Sequence, residues 1–179
     1  MDLDRDTFSE VFMIPTATAV SSQFTFSANW RGFELKQNHT TIATLKRPCV
    51  WSSDFIATTS TESWIIRRGG FWGNKGEIRE ASSQQQIAVF KWGWGGKGSI
   101  LFADGQAFLM VTRGIWHPVW TVVTQAGERV LELHTREKSV EIDPEAAVAN
   151  DRLSILILFA LYRVRQAEEA AAAASAAAS

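Results

Sequence analysis

The sequence is poor in cysteine, proline and tyrosine: 179 residues hold one Cys, four Pro and one Tyr. A single cysteine, Cys49, excludes a disulfide framework and any cysteine-cluster metal site. The residue type suits a small buried hydrophobe better than a nucleophile. Excess charge of one sign is missing as well. Lys and Arg number 18 against 19 Asp and Glu, a net of −1. A generally basic nucleic-acid binder is thereby excluded, while a local basic patch is not. The longest apolar run, residues 153–162, is ten residues long, whereas a spanning helix needs about 20. No transmembrane span is expected. The opening MDLDRDTFSE is acidic and lacks an apolar h-region, so no secretory leader is expected and a cytoplasmic location is the default.

What is present is a body of ordinary apolar content, 46%, with eight Trp. Residues 167–179 are nine Ala, two Glu and two Ser, a tail that builds no core. Residues 1–166 are expected to form one domain. From about residue 20 to 143 short alternating runs are broken by turn residues. They include 23–28 (QFTFSA), 32–36 (GFELK), 40–46 (TTIATLK), 64–68 (WIIRR), 77–81 and 86–92 (QIAVFKW). Further along come 99–103 (SILFA), 106–112 (QAFLMVT), 119–124 (VWTVVT), 129–134 (RVLELH) and 140–142. Asp104-Gly105 between two of them is a two-residue hairpin signal. A spacing of roughly 8–12 residues reads as an all-β sandwich or barrel.

The period then changes. Asp143-Pro144-Glu145 has the form of a helix start, and Asn150-Asp151 offers a second. From Leu153 the chain reads LSILILFALYRVR, apolar on every side of a helix spanning about 148–165. Such a helix is buried all round, with Arg163 and Arg165 marking its return to water. Only a closed or nearly closed sheet encloses one helix, and closure also removes exposed strand edges. The expected fold is therefore a closed antiparallel β-barrel of about twelve strands around one hydrophobic C-terminal helix. A possible edge strand at 7–14 is included in that count. Apolar residues on both faces of 107–111 call for outside cover by loops or tryptophans.

This layout resembles the tubby C-terminal-like superfamily, which includes the tubby domain, the phospholipid scramblases and the LURP-one-related proteins. The likeness rests on the closing helix and on three strand–turn runs. These are Ile100-Leu101-Phe102-Ala103-Asp104-Gly105, then Trp120-Thr121-Val122, then Gly127 before Val130-Leu131. It implies the fold. The phosphoinositide-binding residues of tubby, the scramblase Ca²⁺ loop, its palmitoylated cysteines and its Pro-rich arm have no counterpart here, so the likeness implies fold more than activity.

Few motifs carry chemistry. Residues 93–98 (GWGGKG) fit G-x-G-x-x-G, but a dinucleotide fingerprint opens a helix and this one leads into a strand run. His39, His117 and His134 lack metal-ligand spacing, and Glu132 with His134 suits one bridging contact on a strand face. The acids are scattered, so no catalytic carboxylate pair is placed. Neither a cofactor nor a metal is expected. The tryptophans divide: Trp64 and Trp120 sit inside strand runs, while Trp72 and Trp94 lie in glycine-rich turns. With Arg67, Arg68, Lys75 and Lys97 they form the candidate ligand-binding set, suited to a membrane interface. The plain structural alternative is that these rings cap the barrel ends. The expected function is a non-enzymatic module binding lipid headgroups, a membrane surface or a protein partner. The protein would then be cytoplasmic or peripheral at the membrane. The rivals are a carbohydrate- or nucleic-acid-binding module using the loop tryptophans, and an enzyme whose site has no sequence signature.

Overall fold

A computed structural model describes residues 24–49, 51–69, 74–93, 97–114 and 117–178. Six strands come first: β1 (Phe24–Asn29), β2 (Gly32–Gln37), β3 (Thr40–Lys46), β4 (Phe55–Thr59), β5 (Ser63–Gly69) and β6 (Lys75–Glu80). Six more follow: β7 (Gln86–Trp92), β8 (Gly98–Phe102), β9 (Ala107–Arg113), β10 (Val119–Thr124), β11 (Arg129–His134) and β12 (Ser139–Ile142). The chain ends in one helix, α1 (Asn150–Ala177). Consecutive strands are antiparallel, and Phe24 of β1 lies opposite Val140 of β12, so the sheet closes. Turn chemistry fixes the tight corners. Asn38 and His39 have φ of 48° and 68°, and Gly105 has φ of 90°. Left-handed residues of this kind match hairpin turns to the twist of the strands they join.

Alternation decides which side chains enter the barrel. Phe24 and Phe26, Phe33 and Leu35, Trp64 and Ile66, Phe108 and Met110 all point inward and are buried. Eight strands enclose a space that side chains alone just fill. Twelve enclose more, and an α-helix about 10–12 Å across fills the difference. Residues 155–164 of α1 are buried without interruption, with Leu156, Ile157, Ala160, Leu161 and Tyr162 wholly inaccessible. Aromatic contacts knit helix to wall: Phe159 lies 5.0 Å from Phe90, and Tyr162 lies 5.3 Å from Phe55.

Several expectations change. Strand β4 (FIATT) had no sequence signal, because its short Thr-rich run is flanked by Ser-Asp and Ser-Thr residues that read as loop. The suggested strand at 7–14 lies outside the described residues. Asp143-Pro144-Glu145 forms a turn, with Asp143 Oδ1 accepting from the Glu145 N–H at 3.0 Å, and α1 begins at Asn150. The helix also runs through the Ala-rich segment to Ala177 instead of stopping near 165. Glu169 there accepts two hydrogen bonds from Arg47, at 2.9 and 2.8 Å, and one from Arg165 at 3.0 Å. That segment is therefore tied to the barrel rim. The expected outer cover on β8 and β9 is not supplied by the described residues, since Leu101 and Leu109 stay exposed.

Two outcomes follow for stability. Leu156→Ala or Phe159→Ala leaves a cavity in the centre of the barrel and costs about 2–5 kcal/mol in chemical denaturation, whereas Leu156→Asp prevents folding. Deleting residues 171–179 leaves the melting temperature unchanged, while Glu169→Gln lowers stability by about 0.5–1 kcal/mol, the range of a partly exposed ion pair.

Candidate functional site

Strand direction sorts the connections into two sets. The C-terminal ends of β1, β3, β5, β7, β9 and β11 lie at the end where α1 leaves the barrel, the exit end. The others, with the segment leading into α1, lie at the opposite end. The charges divide in the same way, though unevenly: Asp54, Glu137, Glu168 and Glu169 also lie at the exit end, and Arg129 and Arg152 at the other. Arg31, Lys46, Arg47, Arg67, Arg68, Lys75, Lys91, Lys97, Arg113, Arg136 and Lys138 belong to the exit end. Glu62, Glu80, Asp104, Glu128, Asp143, Glu145 and Asp151 belong to the other. Among the described residues a near-neutral net charge thus conceals an excess of cations at one end and of acids at the other.

Arg67, Arg68, Lys75 and Lys97 all fall at the basic end. Arg67 donates from Nε and Nη2 to Asp54 at 3.1 and 3.0 Å, which spends its charge locally. Arg68 continues the inward row of Trp64 and Ile66, and bonds the Gln166 side chain of α1 at 2.6 Å. Lys75 stands directly opposite Lys91 across β6 and β7, a like-charge pairing that disfavours the ladder. Arg67, Arg68, Lys75 and Lys91 line one groove of about 390 Å³. Lys97 is exposed just ahead of β8. Trp72 and Trp94 lie outside the described residues.

The exposed tryptophans of the described chain are two that the sequence reading did not single out, Trp30 at 66% and Trp51 at 94% exposure. Both sit in exit-end connections. Trp30 is in a two-residue turn, where Arg31 covers its ring at 4.2 Å. Strand parity was the available signal: Trp30 and Trp51 follow the odd strands β1 and β3, whose C-terminal ends are at this end. Trp64 and Trp120 are buried, as expected from their place in strands.

The mouth around α1 holds a second overlooked feature. Arg163 does not mark the return to water; it is 9% exposed, with its guanidinium 3.7 Å above the Trp92 ring. Trp92 packs beside Trp120 at 5.8 Å. Gly98 makes room for the platform, since a Cβ there would meet the Trp92 ring at 2.0 Å. Burial pushes the Arg163 guanidinium down to about 10 and the Tyr162 hydroxyl up to about 12. The nearby charge of Arg68 lowers Arg163 further. Stacking on a ring returns about 2 kcal/mol when the cation is desolvated, less than the roughly 3–5 kcal/mol that an uncompensated buried charge costs. Among the described residues no carboxylate pairs with Arg163, and its Nε, the Trp120 Nε1 and the Tyr162 hydroxyl are buried without partners.

At the acidic end, Glu62, Glu80, Asp104 and Asp151 line a cavity of about 360 Å³ with Arg152. Carboxylates that looked scattered in sequence are therefore gathered by the fold. Arg152 bonds Asp104 and Gln106. Burial, then the charges of Asp151 and Glu80, raise the Glu62 carboxyl above its ordinary value. On the outer wall, Glu132, His134 and Glu141 converge from β11 and β12, with His134 Nε2 3.8 Å from both carboxylates. Glu132 is already engaged by Thr121 at 3.1 Å and Arg113 at 3.4 Å. Cys49 is exposed in the β3–β4 loop and is not a core residue, because the chain leaves the barrel wall at Arg47-Pro48.

The raised Glu62 carboxyl has a pH consequence. Its proton is held more tightly in the folded than in the unfolded chain, so ionised Glu62 opposes folding above the ordinary carboxylate range. Glu62→Gln therefore raises the melting temperature at pH 7. The gain shrinks as pH falls through the raised pKa and disappears once both states are protonated. Thermal scans of the two proteins at pH 7 and in acid check this. Compared with known proteins, the chain matches no family model, no curated protein and no solved structure.

Proposed function

We propose that the protein is a non-enzymatic barrel module that docks its basic end on an anionic membrane surface and contacts lipid headgroups. One observation carries this reading: cations and exposed tryptophans share one end of the barrel. Lys75, Lys91 and Lys97 are exposed there without carboxylate partners among the described residues, at the same end as Trp30 and Trp51 though on another part of the rim. Indole rings favour the depth of the headgroups, and cations favour an anionic leaflet. Each Lys or Arg near such a surface contributes about 1 kcal/mol. Those three lysines with Arg68, which bonds only the neutral Gln166, give roughly millimolar binding, so the rings must add to it and salt must weaken it. The projecting part of α1 adds no obstacle of charge, since residues 170–177 are all Ala apart from Ser175.

Docking in this reading is peripheral. No helix among the described residues is long and apolar enough to cross a membrane. The strands, four to seven residues long, fall short of the roughly 9–11 that a membrane strand needs. Membership of the tubby C-terminal-like fold is part of the same proposal, supported by the wrapped helix.

Co-sedimentation with vesicles containing phosphatidylserine tests the reading. The wild-type chain is expected to sediment at low salt, to release at high salt and to ignore neutral vesicles. Lys75→Glu with Lys97→Glu removes binding without lowering the melting temperature. A wild-type chain that stays in the supernatant at low salt overturns the reading and leaves docking to an acidic protein as the better use of this end.

A further inference from the structure

We propose that the helix exit is a built anion site, in which Arg163 and Arg68 take the phosphate of a phosphomonoester. Four arginines gather where the helix emerges, Arg47 and Arg68 from the wall and Arg163 and Arg165 from α1 itself. Arg47 pairs with Glu169, and Arg165 with Glu169 and Glu168. Arg68 meets only the neutral Gln166 side chain, and Arg163 meets only an indole face. Two positive charges are thus left without acids at one mouth, one of them more than nine-tenths buried. Three other buried groups at this end lack partners, Trp120 Nε1, the Tyr162 hydroxyl and Arg47 Nε, and all are able to donate. Arginine, indole and phenol together form a donor set short of an acceptor.

Place and shape agree with that chemistry. Trp92 is the last residue of β7 and Trp120 the second of β10, so the guanidinium over Trp92 lies at the exit end. The ring beneath it is held flat by the missing side chain of Gly98 and by Trp120. A planar guanidinium fixed on a ring is pre-organised for two-point hydrogen bonding to phosphate oxygens. A dianionic phosphomonoester balances both free charges, whereas a carboxylate or a phosphodiester balances one. The phosphate has two possible sources, a lipid headgroup or a soluble ester. The site rests on the membrane reading only for the first of these.

The test uses the full chain with Arg163→Met, Arg68→Gln and two ligand arms. In solution, inorganic phosphate is expected to raise the wild-type melting temperature saturably and to change the tryptophan emission. Chloride at matched ionic strength does neither. Arg163→Met removes an unpaired buried charge. It is therefore expected to be more stable than wild type without ligand, yet to lose the phosphate response. Arg68→Gln keeps the fold and weakens that response about tenfold, the factor carried by one charge-assisted hydrogen bond. On vesicles, phosphatidic acid should bind better than phosphatidylserine at equal surface charge, and Arg163→Met should erase the difference. A phosphate response without vesicle binding supports the site, assigns it a soluble ester and overturns the membrane reading. Vesicle binding with no phosphate response and no preference for phosphatidic acid overturns the site and leaves the membrane reading standing. An Arg163→Met protein that keeps the full phosphate response also overturns the site.

Discussion

The lumen of a closed twelve-strand sheet has to be filled, and here one helix fills it. The wall supplies Phe and Trp from alternate positions, but these cannot meet across so wide a barrel. Residues 155–164 occupy the axis instead and touch the wall on every side, as at Phe90–Phe159 and Phe55–Tyr162. Strand closure and helix burial therefore depend on each other. Without the helix the inner faces of the strands would be wet, and without the wall an all-apolar helix would have no place in water.

That arrangement also decides where the polar chemistry goes. A helix that threads a barrel has to become polar as it leaves, and it does so among strand ends already rich in Lys and Arg. Glu169 and Glu168 together balance Arg47 and Arg165, tying the emerging helix to the rim. Arg163 lies two residues deeper than Arg165 and on nearly the opposite face of the helix, and so remains charged, buried and stacked on Trp92. Lys75 opposite Lys91 is a similar concession on the outer wall. Both placements cost stability, and neither is needed for the barrel to close. Binding an anion gives each a use.

Much of the architecture was legible in the sequence, and the reason is periodicity. Alternating runs such as QFTFSA and GFELK announce one-sided burial, and LSILILFALY announces burial on all sides. Together they imply a closed wall around a helix. Strand β4 escaped because Thr-rich FIATT has little alternation to detect. The site was only half legible. Arg67, Arg68, Lys75 and Lys97 stand out as cations near glycine-rich turns, but the significance of Trp30 and Trp51 depends on which end of the barrel each turn reaches. Arg163 was misread because an arginine at the edge of an apolar run looks like a surface residue. Its burial depends on Trp92 and Gly98, 71 and 65 positions earlier in the chain.

Native-state hydrogen exchange tests the central claim, that helix and barrel form a single cooperative unit, most directly. Amides of residues 155–164 should exchange only through global unfolding, together with the central amides of β2, β7 and β11, and with the same opening free energy. Helix amides that exchange by a smaller opening while the strands stay protected would show a barrel that closes without its helix, and would contradict the account.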